Sequence, residues 1–210
     1  MSFEEIAEHV IGGNAAKVME LVQGAVDSKE DPQVILQQGL LAGMSVIGEQ
    51  FKKNEVYVPE VLIAARAMKA GMSIIKPILT SANVKGKGTI VIGTVKGDLH
   101  DIGKNLVGMM LEGAGFDVVD AGIDVNAENF LDVAQKNDAQ IIGMSALLTT
   151  TMPSMKEVIK TLKNSALKDK VMVMIGGAPV TQDYAEEIGA DGYAPDAASA
   201  ADMAKALLGF

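Results

Sequence analysis

From residue 89 onward the chain repeats one pattern, a short unbroken run of apolar, largely β-branched residues followed by a stretch with helical spacing. Thr89 to Val95, Asp117 to Ala121, Ile141 to Ser145 and Val171 to Ile175 are such runs, and Gly192-Tyr193-Ala194 is a short fifth. A strand with one wet face alternates apolar and polar residues, whereas an unbroken run has both faces covered. Helices between successive strands supply that cover and make the strands parallel. The pattern therefore predicts a doubly wound, Rossmann-like sheet of five parallel strands joined by right-handed crossovers.

The first 84 residues carry no such run. Phe3 to Gly12, Ala15 to Asp27, Pro32 to Gln50 and Pro59 to Ile78 place apolar residues three and four apart, which predicts four helices and no strand. Pro32 and Pro59 stand where a first helical turn accepts a ring without a backbone donor. Between the two patterns, Ser81 to Gly88 is small, polar and glycine-rich, as a linker is. The expected organisation is α + α/β, with a helical bundle and its linker over 1–84 and the five-stranded Rossmann-like sheet over 85–210.

With 210 residues, 49% of them hydrophobic, the chain can fill two cores without cross-links. It has no cysteine, which excludes disulfides, thiolate metal sites, iron-sulfur clusters and cysteine nucleophiles. The net charge is -9 and no basic run interrupts it, so a phosphate backbone is repelled and nucleic acid is excluded as a partner. No stretch of about 18 apolar residues suggests a membrane span. Acids at Glu4 and Glu5 stand where a secretory leader has basic residues, so a cytoplasmic location is expected. Thirteen methionines against 4% aromatics point to a core or cleft of flexible, polarizable side chains.

In an open parallel sheet, ligands bind outside the carboxyl ends of the strands, so the loops after the apolar runs carry the function. After the first run comes Lys96-Gly97-Asp98-Leu99-His100-Asp101-Ile102-Gly103-Lys104-Asn105, the densest polar segment of the chain. It is not a P-loop, because five residues separate Gly97 from Gly103 where four are required and Asn105 replaces the magnesium-binding hydroxyl. The dinucleotide spacing G-x-G-x-x-G, a phosphoacceptor aspartate ending the third run and a G-x-S-x-G nucleophile turn are all missing. What remains is His100 with Asp98 two residues before it. In extended backbone both side chains point the same way, so the carboxylate can hold one ring nitrogen and leave the other as a ligand or base. A histidine that merely caps the following helix is the alternative reading. One histidine backed by one aspartate suits a metal whose other positions are filled by its own macrocycle.

Asp98-x-His100-x-x-Gly103, then Ser145-x-Leu147, then Gly176-Gly177, each after a predicted strand, resembles the cobalamin-binding signature of corrinoid-dependent methyltransferase systems. Val56-Tyr57-Val58-Pro59-Glu60-Val61, leading into Ala64 to Lys69, is similar to the helical cap domain that covers the corrin in that family. The resemblance implies that His100 is the lower axial ligand of cobalt in a bound cobalamin or related corrinoid, in place of the cofactor's benzimidazole. Asp98 would accept the other ring N–H, and Thr151 would extend this relay by its hydroxyl. Gly97, Leu99, Asp101, Ile102 and Gly103 would line the corrin, and Ser145, Leu147 and Thr149 the displaced nucleotide tail. Gly176 and Gly177 would let that tail pass close to the backbone; taken alone the pair reads as an ordinary strand-to-helix turn, and only the accompanying motifs overturn that reading. Tyr193 and Ala194 would border the same tunnel. Tyr57 would shield the upper face, or else be a core tyrosine of the bundle.

The implied function is a methyl shuttle. A donor-specific methyltransferase would load the cobalt, an acceptor methyltransferase would pass the methyl group to a thiol or tetrahydrofolate, and a reductive activase would restore the cofactor. The linker would be the hinge that lets the cap move. A radical mutase subunit would share the histidine loop without the cap, and a cobalamin-based sensor would share the cap but add a basic DNA-binding segment. Residues 1–84 have seven basic against ten acidic side chains, which speaks against the sensor.

Overall fold

The structure is a computed structural model that describes residues 2–81 and 86–210. Residues 82–85 of the expected linker and hinge therefore lie outside the described residues. The chain divides into two compact units, one up to Gly86 with Gly113–Gly115, the other Lys87–Glu112 with Phe116–Phe210.

In the first unit the apolar stripes form α1 (Phe3–Ile11), α2 (Ala15–Asp27), a third helix of three consecutive parts, and α5 (Val58–Ser81). The third helix opens as α3 (Pro32–Val34), continues as a π-helical segment Ile35–Leu41 and ends as α4 (Ala42–Lys52). Asn14 and Asp31 cap their helices by accepting from the backbone N–H groups of Lys17 and Gln33. Ile6, Val10, Val18, Leu40, Met44, Met68 and Ile75 are buried in the core of this unit. Periodicity alone predicts one regular helix over 32–50, and the wider π turn is the difference. At Gly43, just past that segment, an added Cβ would stand 2.7 Å from Val10 and 2.9 Å from the Ala7 carbonyl, so the helices touch almost backbone to backbone. The last helix also runs past its expected end at Ile78 and through Pro77, which has no N–H to give the Ser73 carbonyl.

The second unit is a five-stranded parallel sheet in the order β2-β1-β3-β4-β5, formed by β1 (Thr89–Thr94), β2 (Asp117–Asp120), β3 (Ile141–Ser145), β4 (Met172–Gly176) and β5 (Gly192–Ala194). The helices are α6 (Ile102–Gly113), α7 (Ala127–Lys136), α8 (Pro153–Lys163), α9 (Gln182–Ile188) and α10 (Ala197–Leu208). Val91, Ile142, Met144, Val173 and Ile175 face a core shared with Phe130, Ala134, Val158, Ile159, Leu162 and Ile188 of α7, α8 and α9. On the opposite face α6 approaches Ile92 at Gly108, and α10 approaches Gly192 through Met203. Both faces are thus covered, which is why the strand sequences do not alternate. The fourth strand lies one residue later than its apolar run, because pairing with β3 sets Ile141 opposite Met172 and Ser145 opposite Gly176.

β1 and β3 are neighbours although β2 intervenes in sequence, so the crossovers leave β1 toward one edge and β3 toward the other. The crevice at this reversal is where a parallel sheet accepts a ligand. Phe130 has no accessible surface and packs under β1, where a Cβ on Gly93 would lie 2.6 Å from its ring. Phe130→Ala is expected to destabilise this unit by about 3–5 kcal/mol in urea unfolding, whereas Gln135→Ala on the exposed side of α7 should change it by about 0.5 kcal/mol or less.

Candidate functional site

The loop after β1 begins with a turn. Asp98 donates its N–H to the Val95 carbonyl at 3.1 Å, and Gly97 at the third position of that turn has φ +85°, a conformation glycine adopts without strain. The turn inserts the Asp98 side chain into the protein, where it has no accessible surface. Its Oδ1 faces the His100 Nδ1 at 2.6 Å and also accepts the His100 backbone N–H at 3.1 Å. Its Oδ2 accepts the Leu147 and Leu148 backbone N–H groups at 2.8 and 3.2 Å and the Thr151 hydroxyl at 2.8 Å. One carboxylate thus collects donors from two loops, one after β1 and one after β3.

Burial pushes the Asp98 carboxyl upward, but the bonds from the His100 ring, the Leu147 and His100 amides and the Thr151 hydroxyl outweigh it and hold the group well below the usual carboxylate range. An ionised carboxylate has no proton to give, so the Nδ1 nitrogen is the donor, and in the neutral imidazole the lone pair is then on Nε2. The imidazole is half exposed while its partner is buried. Around it Leu99 and Ile102 are 66% and 79% exposed, with Leu147 and Leu148 also exposed across the crevice. Apolar side chains at such exposure beside a polarised ring form a surface fit for a flat, largely apolar ligand. Among the described residues no group of three His, Asp or Glu side chains is placed to hold a metal ion. A metal bound here would therefore have fewer than three protein ligands of these types.

The glycines sort by what their missing Cβ would meet. At Gly103, the second residue of α6, a Cβ would meet nothing within 4 Å, so the protein itself leaves that space open. At Gly177, with φ +127°, a Cβ would stand 1.9 Å from the Ala146 carbonyl. Gly176 and Gly177 are expected to let a nucleotide tail pass, and at Gly177 the protein's own backbone by itself demands glycine.

The structure brings Asp98, His100, Leu147 and Thr151 into one bonded cluster, with Gly97 and Leu99 in the same loop and Ile102 and Gly103 opening α6 just after it. Asp101 accepts from the Asn105 amide and receives the Asn105 backbone N–H on its carbonyl, opening α6. Ser145 ends β3 opposite Thr94 and Gly176, its carbonyl accepting from Val95, and Thr149 is exposed in the loop beyond. Ala194 is buried at the end of β5 beside Gly176, while Tyr193 packs against the core. Tyr57 belongs to the first unit, where it is 66% exposed, so it is not a core tyrosine, and its backbone N–H donates to Glu60 at the start of α5. The amides of Leu147 and Leu148 were invisible in the sequence, since every residue but proline carries the same donor.

Two family models, each described as a B12 binding domain, match residues 2–76 and 88–202. The chain belongs to the corrinoid proteins of methyltransferase systems. This corrinoid protein is 44% identical over 209 residues to a corrinoid protein of Desulfitobacterium hafniense, covering 98% of this chain and 97% of that one. It is 44% identical over 212 residues to dimethylamine corrinoid protein 1 of Methanosarcina acetivorans, covering 99% and 100%. Among solved structures it superposes on a chain of the methanol:cobalamin methyltransferase complex MtaBC from Methanosarcina barkeri with a TM-score of 0.88 at 34% identity, covering 99% of this chain and 79% of that one. A cobalamin-binding protein from Desulfitobacterium hafniense follows at TM-score 0.80 and 29% identity, with 98% of both chains covered.

Two outcomes follow for the corrinoid protein without its cofactor. Because the folded Asp98 value lies below the unfolded aspartate value of about 3.9, the stabilisation it provides is complete above that pH and is lost as pH falls below it. Asp98→Ala should therefore cost about 2–4 kcal/mol at neutral pH, with a gap to wild type that narrows below about pH 4 in acid-dependent urea unfolding. Gly177→Ala should separate the loops after β3 and β4 and lower the melting temperature by several degrees, since 1.9 Å to a backbone oxygen is relieved only by moving the chain.

Proposed function

We propose that this protein is a methyl carrier that holds its corrinoid with the benzimidazole displaced and His100 Nε2 as the lower axial ligand. The observation that supports this most strongly is the clasp of the His100 Nδ1–H by the buried, ionised Asp98, which leaves Nε2 free at the β1/β3 crevice. When bound, the corrinoid supplies a cobalt centre able to accept and release a methyl group.

The chain's own residues prepare for that exchange. Asp98 fixes the ring tautomer and, being acceptor-only, does not compete for the ring proton. Nε2 then has two exclusive uses, as a lone-pair donor to the metal or as the site of a proton. Thr151 places its hydroxyl 2.8 Å from both Asp98 Oδ2 and the Leu148 carbonyl, so its hydrogen can turn to either oxygen as the charge on the pair changes. Leu99, Ile102 and Leu147 would exclude water beneath a bound corrinoid, and the missing side chain at Gly103 would leave it room.

The relatives named for dimethylamine and the complex named for methanol favour a small methylated donor, presented by a separate donor-specific methyltransferase. A second methyltransferase would take the methyl group to a thiol or tetrahydrofolate, with a reductive activase restoring the cofactor, all in the cytoplasm.

The full chain reconstituted with cobalamin and reduced to Co(II) should show nitrogen coupling in its electron paramagnetic resonance spectrum that changes when histidine is labelled with nitrogen-15. His100→Ala should abolish it. Retention of the coupling in that variant would exclude His100 as the ligand. Thr151→Val should keep the coupling but move the Co(II)/Co(I) midpoint, which Thr151→Ser should restore; equal midpoints in all three proteins would remove the hydroxyl from the relay.

A further inference from the structure

Asp98 sets the tautomer of His100, but the height and tilt of the ring depend on the backbone that carries it. Two residues outside the Asp98-x-His100-x-x-Gly103 motif grip that backbone. Thr94, the last residue of β1, has no accessible surface, and its hydroxyl donates to the His100 carbonyl at 2.8 Å. Asp124, in the loop after β2, accepts the Gly97 N–H on Oδ1 at 2.7 Å and gives its own N–H to the Asp98 carbonyl at 3.1 Å. Thr94 therefore ties the histidine end of the loop to the rigid sheet, and Asp124 ties the turn end to the β2 loop. That loop is itself pinned, since Thr94 donates to Gly122 and Val125 donates back to Thr94.

Asp124 has a further mark of purpose. Its φ is +53°, a left-handed conformation that few side chains tolerate and that aspartate and asparagine accept best. Glycine would relax the backbone there but could not accept from Gly97. The residue present is one that satisfies both demands.

We propose that Thr94 and Asp124 are positioning residues that set the reach of His100 Nε2 toward the cobalt of a bound corrinoid. This rests on the reading of His100 as the axial ligand. Metal-site geometry has to be held to within about 0.5 Å, and losing an outer partner of a metal ligand typically weakens binding about 10- to 100-fold. Asp98, anchored to the loop after β3, holds only the Nδ1 edge of the ring and the His100 amide, so the rest of the placement falls to the backbone ties at Gly97, at the Asp98 carbonyl and at the His100 carbonyl.

The test uses the full chain and two graded pairs. Asp124→Gly removes the acceptor while suiting the left-handed backbone, and Asp124→Asn keeps a carbonyl oxygen in its place. Thr94→Val removes the donor at constant shape, and Thr94→Ser keeps it. In each apoprotein, nitrogen-15 chemical shifts of the His100 ring report which nitrogen carries the proton, and after reconstitution with cobalamin the Co(II) spectrum reports the fraction ligated by histidine. Asp124→Gly and Thr94→Val are expected to mix the two tautomers, to lower the ligated fraction and to weaken cobalamin binding about tenfold, with Asp124→Asn and Thr94→Ser close to wild type. Wild-type ring shifts and ligated fraction in Asp124→Gly would overturn the proposal even if its melting temperature fell, and this variant decides should Thr94→Val fail to fold. His100→Ala separates the two ideas: loss of nitrogen coupling there with wild-type spectra in Asp124→Gly defeats the positioning role alone, whereas persistence of the coupling in His100→Ala defeats the axial-ligand reading beneath it.

Discussion

The Asp98 carboxylate is the point on which the candidate site depends. Five donors from two loops converge on its two oxygens, in a place without solvent. A buried charge is tolerated only when such donors surround it, and once surrounded it is hard to move or to neutralise. The same bonds that hold the group ionised also fix the tautomer of His100 and join the loop after β1 to the loop after β3. Ligand geometry and loop geometry are therefore one property. An amide at this position would present two hydrogens to donors that need acceptors, so Asp98→Asn is a structural change as well as a loss of charge.

The sheet makes that convergence available. Strand order β2-β1-β3-β4-β5 puts the ends of β1 and β3 side by side, and the parallel direction sends both loops to the same edge. Close packing of the loops then dictates residue types far from any ligand, as at Gly177, whose missing Cβ is filled by the Ala146 carbonyl. Gly103 is the opposite case, a glycine with open space beside it next to the exposed faces of Leu99 and Ile102. The two cases separate a glycine required by the protein's own packing from one that the packing does not require.

Much of this was legible in the residues. Unbroken apolar runs meant covered strands, and intervening helical spacing meant parallel ones, so the α + α/β division followed from periodicity. Asp98 and His100 stood out because two residues of extended backbone bring their side chains to one side, and they lie 2.6 Å apart. The π-helical segment Ile35–Leu41 and the passage of α5 through Pro77 were not legible, because packing within the helical unit overrides local preference there. Nor were the shift of β4 by one residue, which is a matter of register with β3, and the amide donors of Leu147 and Leu148.

What the sequence by itself determined was the class of each segment and the chemistry of its short motifs, since both depend on neighbours within a few residues. Spacing showed that Asp98 could face His100, and the absence of cysteine narrowed the metal chemistry open to the chain. Only the tertiary structure decided that Thr94, Asp124 and Leu148 join the candidate site and that Leu147 reaches Asp98 through its backbone amide, because they lie in three different strand or loop segments and meet the histidine loop through sheet pairing and hydrogen bonds; Thr151, which the family resemblance already implied, gained its measured bond to Asp98. The physical reason is one of range. Periodicity and side-chain type act locally along the chain, whereas the donors that hold the buried Asp98 as a fixed, ionised acceptor come together only after distant segments have closed around it.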